Sequence, residues 1–275
     1  MINPPHYITG LNHLQASKLP TYHSQEAKTR AEQLSQIAEN SEHYLKKHFR
    51  SHIQHTLLVV NKQDWSRINP GIPYGLIRGI DNYVIYPQAE TDNPVYGELK
   101  PFYEHGPENL KKKLETLLAD GEDPFTVACQ VWWDNLVVHE FTHNYLRADN
   151  VVFGLKWFEE LLCNYTTYAF LKGRVGSQAD VRVIDLLCEI LYRGGSKLVK
   201  YSSLGDFERY YVGVGAGNYC WYHAKMFVGV KSLYDMFGKG FIDKAIDDFR
   251  VSDESLVSRF NESCGGFKEW FLSWE

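Results

Sequence analysis

The chain lacks several features that would narrow its chemistry at once. No run of about 18 apolar residues is present, so no stretch reads as a membrane span. Its opening, Met1-Ile2-Asn3-Pro4-Pro5-His6, has neither a basic start nor an apolar centre and does not look like a secretory leader. A cytoplasmic location is the resulting expectation. Long basic tracts are absent too. Lys111-Lys112-Lys113 is flanked by Leu110 and Leu114 and reads as the wet face of a helix, and a formal net charge of −5 leaves no electrostatic footprint for nucleic acid. The five cysteines, at 129, 163, 188, 220 and 264, form no Cys-x-x-Cys pair, which argues against a structural zinc site and fits reduced thiols. Gly213-Val214-Gly215-Ala216-Gly217 has no Lys after it and is followed by bulky Tyr219, Trp221 and Tyr222, so it is no phosphate loop. Its expected use is to let the backbone pass close to the metal-bearing helices described below.

What is present is the composition of a folded protein. Of 275 residues, 44% are hydrophobic and 15% aromatic, enough for one domain in two lobes. Within it, His139-Glu140-Phe141-Thr142-His143 specifies chemistry. Histidines four apart on a helix point from one face, so both imidazoles reach one metal ion, while the intervening Glu140 is placed to handle a water. The run from Phe125 to Val138 has neither Pro nor Gly and is apolar almost all round, as a buried helix is, and Asp123-Pro124 is a start signal for it.

A tetrahedral catalytic zinc takes three protein ligands and keeps one open position. A second apolar helix, over 156 to 172 and ending at Gly173, carries Glu159 and Glu160 near its first turn. Neighbours on a helix lie 100 degrees apart, so only one of them is the third ligand.

Here the motifs resemble the gluzincin metallopeptidases, in which the histidine pair is followed by Trp-x-x-Glu-x-x-Ala-x-Tyr. The matching residues are Trp157, Glu160, Cys163 in the small position, and Tyr165. The resemblance implies Zn2+ held by His139, His143 and Glu160, with Asn164 hydrogen-bonding the first histidine. It also implies Glu140 as general base toward a zinc-activated water, and an oxyanion donor near the start of a helix over 219 to 238. Tyr222 is the first choice for that donor, and Tyr219 and His223 are the alternatives. The implied fold is α+β and zincin-like. A small N-terminal lobe with a mixed sheet, residues 1 to about 147, faces a mainly helical lobe over 148 to 275, with the active site between them. The implied reaction is hydrolysis of a peptide or protein substrate. The aminopeptidase signature Gly-x-Met-Glu-Asn is absent, with Gly79-Ile80-Asp81-Asn82 only an echo of it, so an endopeptidase is favoured over an aminopeptidase. A catalytically inactive binding module on the same fold is the other alternative.

Asp149 stands where metzincin-like enzymes carry their third ligand. Those enzymes need Gly three residues after the second histidine, and Leu146 stands there, so Asp149-Asn150 reads as a polar turn closing the helix. Residues 24 to 50 repeat apolar positions at helical spacing, 52 to 60 and 83 to 86 read as strands, and a Pro/Gly loop covers 69 to 75. The strand near 74 to 86 is the expected edge that pairs with substrate. His43, His48, His52 and His55 do not converge on one face and read as packing or surface groups. Helices are also expected over 180 to 193, 241 to 248 and 265 to 274.

Overall fold

Three strands with fully or largely apolar cores set the architecture. In the computed structural model, which describes residues 7–89, 91–118, 121–248 and 264–274, they belong to a five-stranded mixed sheet. The strands are β1 (Asn12–His13), β2 (Thr21–His23), β3 (Thr56–Val60), β4 (Arg78–Ile80) and β5 (Tyr83–Pro87), in the order β1-β2-β3-β5-β4. β2, β3 and β5 run parallel, and β1 and β4 are antiparallel additions at the two edges. β3 is buried along its whole length because both of its faces are covered. Leu57, Val59, Val84 and Tyr86 face the main core, while Leu58, Val60 and Ile85 pack with Trp65 and Ile68 in a smaller core on the other side.

Helices supply the rest. They are α1 (Lys28–Leu45), α2 (Lys62–Ile68), α3 (Pro94–Glu104), α4 (Glu108–Leu117), α5 (Pro124–Ala148), α6 (Lys156–Gly173) and α7 (Gln178–Gly195), then α8 (Leu204–Tyr210), α9 (Ala216–Phe237), α10 (Gly240–Asp248) and α11 (Phe267–Trp274). At coarse level the fold is therefore α+β. No helix among the described residues is long and apolar enough to cross a membrane.

Three expectations need correction. The stretch near 74 to 86 is not one edge strand. It is a hairpin in which β4 is the edge and β5 lies between β3 and β4, turned at Asp81-Asn82 with Asp81 in the left-handed region that a two-residue loop demands. The strand over 52 to 60 shortens to Thr56–Val60, because pairing begins at Thr56 with Tyr83 and residues 52 to 55 have no strand beside them. Helix α1 likewise stops at Leu45, where the amides of His48 and Phe49 both turn back to the Leu45 carbonyl. Asp149 accepts from the amides of Arg50 and Ser51 at 2.9 and 2.8 Å, and so joins the end of α5 to the lead-in of β3.

Helix α5 is the spine. Its 25 residues span about 37 Å. Asp123 caps its start, accepting from the amide and hydroxyl of Thr126. The buried Arg30 of α1 grips Asp134 on its flank. α3 and α4, from the first half of the chain, pack against α7 from the second half, so one core runs through both. The closest approach is at Gly194, where a Cβ would lie 1.9 Å from the Phe102 carbonyl oxygen and 2.6 Å from the Gly106 nitrogen. Neither atom is a flexible side-chain end that can move aside. Gly194→Ala is therefore expected to lower stability by about 1–3 kcal/mol or more, read as an early thermal transition, whereas alanine at the open Gly173 should shift it far less.

Candidate metal centre

Helix α5 brings His139 and His143 to one face, and α6 crosses it with Glu160 pointing inward. Nε2 of His139 lies 3.0 Å from Oε2 of Glu160 and 3.1 Å from Nε2 of His143. Nε2 of His143 is 3.4 Å from the same carboxylate oxygen. These three atoms form a nearly equilateral triangle.

The outer ends of all three groups are already committed. Nδ1–H of His139 donates to Oδ1 of Asn164 at 3.0 Å, and Nδ1–H of His143 donates to Oε1 of Glu159 at 2.7 Å. Oε1 of Glu160 accepts from the hydroxyls of Tyr211 at 2.5 Å and Tyr219 at 3.3 Å. With each ring proton on Nδ1, two nitrogen lone pairs and a carboxylate oxygen face one another with no hydrogen between them. Such a set takes up a metal cation or, in its absence, a proton on His143. Donors bound at 2.0–2.2 Å to a tetrahedral zinc stand roughly 3.3 Å apart, which matches all three edges to within a few tenths of an ångström. The residues present thus fit such an ion.

Two further groups approach the triangle. Cys163 sits within ligand range of both histidines, and without a metal burial pushes its thiol up to about 12. His223 lies behind Glu160, its Nε2 3.7 Å from Oε2. Nδ2–H of Asn164 donates to Nδ1 of His223 at 3.3 Å, so the His223 proton is on Nε2 and the ring is a hydrogen-bond donor, not a ligand. Burial holds its pKa down to about 3, and it is neutral.

Glu140 lines the cleft beside the triangle. Burial raises its carboxyl above the usual range, and the Gly79 amide, which donates to it, pulls the other way. β4 comes this close because Gly79 has no side chain. A Cβ there would be 2.9 Å from Oε2 of Glu140. The cleft is a cavity of about 570 Å3 between β4 with its preceding loop and the ends of α5, α6 and α9. Arg78 and Arg147 flank it.

The residues singled out in the sequence fall in different places. His139, Glu140, His143, Glu160 and Asn164 come together. Glu159 is on the back of His143, and not in the triangle. Tyr222, the first choice for an oxyanion donor, is directed elsewhere: it is buried, and its hydroxyl donates to the Ser203 carbonyl at 2.9 Å. The tyrosines that reach the site are Tyr219, three residues earlier on α9, and Tyr211, which sequence reasoning missed. Tyr211 follows α8 in a short 3-10 turn, Tyr211–Val214, with φ of 44 degrees, and no spacing or composition marks it. The glycines nearby also act differently than expected. Gly215 opens α9 at the cleft rim with φ of 85 degrees, and Gly217 donates its amide to Glu98 of α3 instead of passing the metal-bearing helices.

No protein-family model matches the chain, and no solved structure matches it significantly. It is 28% identical over 181 residues to the WD repeat-containing protein 55 homologs of Drosophila persimilis and of Drosophila pseudoobscura pseudoobscura. The match covers 58% of this chain and 31% of each relative, so the chain spans about a third of their length. WD repeats build blades of four strands in about 40–45 residues each. The described residues hold one mixed sheet among many helices, so the likeness does not carry a propeller to this chain.

Burial works against a proton on His143, but Cys163, Glu160 and Glu159 around it outweigh that and hold its imidazole well above the ordinary range. In chelator-treated protein the His143 ring is therefore expected to titrate above the usual histidine pH range, followed by NMR of its ring protons. Glu160→Gln should bring that titration down.

Proposed function

We propose that this chain is a zinc-dependent peptidase of the gluzincin type, on a zincin-like fold, with His139, His143 and Glu160 as metal ligands. The observation that carries the reading is the triangle of His139 Nε2, His143 Nε2 and Glu160 Oε2, each group's outer atom hydrogen-bonded away, set at zinc-ligand spacing on the wall of an open cleft beside Glu140. A binding module alone has no use for a half-buried carboxylate held beside the open side of such a triangle.

Zinc in this position would lower the pKa of a water toward ~7 and polarise a carbonyl. The residues of the chain do the rest. Glu140 takes the proton of the attacking water and passes it to the leaving amine, and its raised carboxyl pKa suits a group that must hold that proton in between. Asn164 and Glu159 fix the tautomers of His139 and His143 so that Nε2 is the free nitrogen of each. Tyr211 and Tyr219 hold one oxygen of Glu160, which directs the other inward. Among the described residues that line the cleft, the acids are Glu140, Glu159 and Glu160, and each has a role at the centre. None remains to anchor a free amino terminus, which supports an endopeptidase acting on peptide or protein substrates.

The test is zinc content and hydrolysis of a mixed peptide library by wild type, Glu140→Gln and Glu160→Ala. Wild type should hold one zinc per chain and cut peptides, Glu160→Ala should lose the zinc, and Glu140→Gln should keep it with cleavage reduced at least a hundredfold. Tight zinc binding without any cleavage would move the assignment to a binding module. Tyr211→Phe frees an oxygen of Glu160 and is expected to weaken zinc binding ~10–100-fold, measured by competition with a chelator of known affinity.

A further inference from the structure

Beside the triangle, on the core side of Glu140, lies a second and much smaller cavity of about 60 Å3. Its walls are apolar where Leu76, Ile77 and Leu136 face it. Two other wall residues carry buried nitrogens without a hydrogen-bond partner: Nε1 of Trp132 on α5, and Nε2 of His223 on α9, which also lies 3.7 Å from Oε2 of Glu160. Both residues are over nine-tenths buried, at 1% and 7% exposed. Both nitrogens are donors. An indole N–H can only donate, and His223 is held with its proton on Nε2 because Asn164 donates to its other nitrogen. A buried donor without an acceptor is unfavourable, and two around one small space define what that space takes. The acceptor on the wall is the carboxylate of Glu140.

Resting on the peptidase reading of the adjoining centre, we infer that this cavity is a side-chain subsite for a short carboxamide, so that the substrate is a peptide with asparagine next to the bond that is cut. The amide oxygen accepts from Trp132 and His223, and the amide NH2 donates toward Glu140. Leucine has the same shape and leaves both donors unsatisfied. Aspartate offers acceptors but brings a second negative charge against Glu140. The small volume, about 60 Å3, favours short side chains over aromatic ones.

The experiment uses end-capped heptapeptides of alanine with asparagine, aspartate or leucine at the centre. Their affinities are measured by competition on the chelator-treated chain, where nothing turns over, and their cleavage on the zinc-loaded chain. Asparagine should exceed both leucine and aspartate roughly tenfold or more in affinity and in kcat/KM, and Trp132→Phe should bring the asparagine-to-leucine ratio close to one. The wild-type ratio alone suffices to decide, should that variant fold poorly. Equal binding of asparagine and leucine, or no binding of either, overturns the subsite, with the donors then satisfied by ordered water only. So does a ratio that survives Trp132→Phe, or a His223→Phe variant that slows all three peptides alike with the ratio unchanged, since His223 would then serve the reacting carbonyl. Asparagine preference in affinity without any cleavage sustains the subsite and sinks the peptidase reading. Cleavage without preference does the reverse.

Discussion

Three acceptor atoms pressed together are the constraint around which the chain is arranged. A pair of imidazole lone pairs 3.1 Å apart, with a carboxylate oxygen equally close to one of them, repels itself unless a metal ion or a proton joins it. The protein holds that arrangement by committing the outer atoms. Asn164, Glu159, Tyr211 and Tyr219 each take one end of a group whose other end points inward. Those four come from α6, from the turn after α8 and from α9, so the centre ties together elements far apart in the chain. The helices then need their own fixing, which Arg30 with Asp134 and the cap at Asp123 give to α5.

Much of this was legible from the sequence. A helix carrying two histidines four apart states its own face, and the apolar run before it states its burial, which is why α5, α6, α7 and α9 were all expected within a few residues of where they lie. Glu160 and Asn164 were legible because both sit on one helix at fixed offsets. Tyr222 was misplaced because a helix start tells which turn faces the site but not which of three neighbouring aromatics does, and the rotation was decided by the Ser203 carbonyl taking its hydroxyl. Tyr211 could not be found at all. Its contact with Glu160 spans 51 positions and depends on a turn conformation that local propensity disfavours. The small strands β1, β2 and β4 were missed or merged for a related reason. They are two or three residues long, and only their partners in the sheet make them strands.

Asn164 links two roles that sequence patterns treat separately. Its carbonyl oxygen fixes His139 as an acceptor toward the triangle, and its NH2 fixes His223 as a donor through Nε2. A single amide therefore sets the opposite character of two rings 5.3 Å apart. Replacing it by aspartate would keep the first bond and lose the second, because a carboxylate has no N–H to give.

Tyr211 sits at φ 44 and ψ −119, where a side chain is costly and glycine is at ease. An engineer searching this chain for thermal stability would choose that position early, since glycine relieves the backbone. The same change removes the hydroxyl 2.5 Å from Glu160. Robustness and site geometry are thus opposed in one residue, and variants selected only for heat tolerance should drift toward losing the carboxylate's alignment at that turn first.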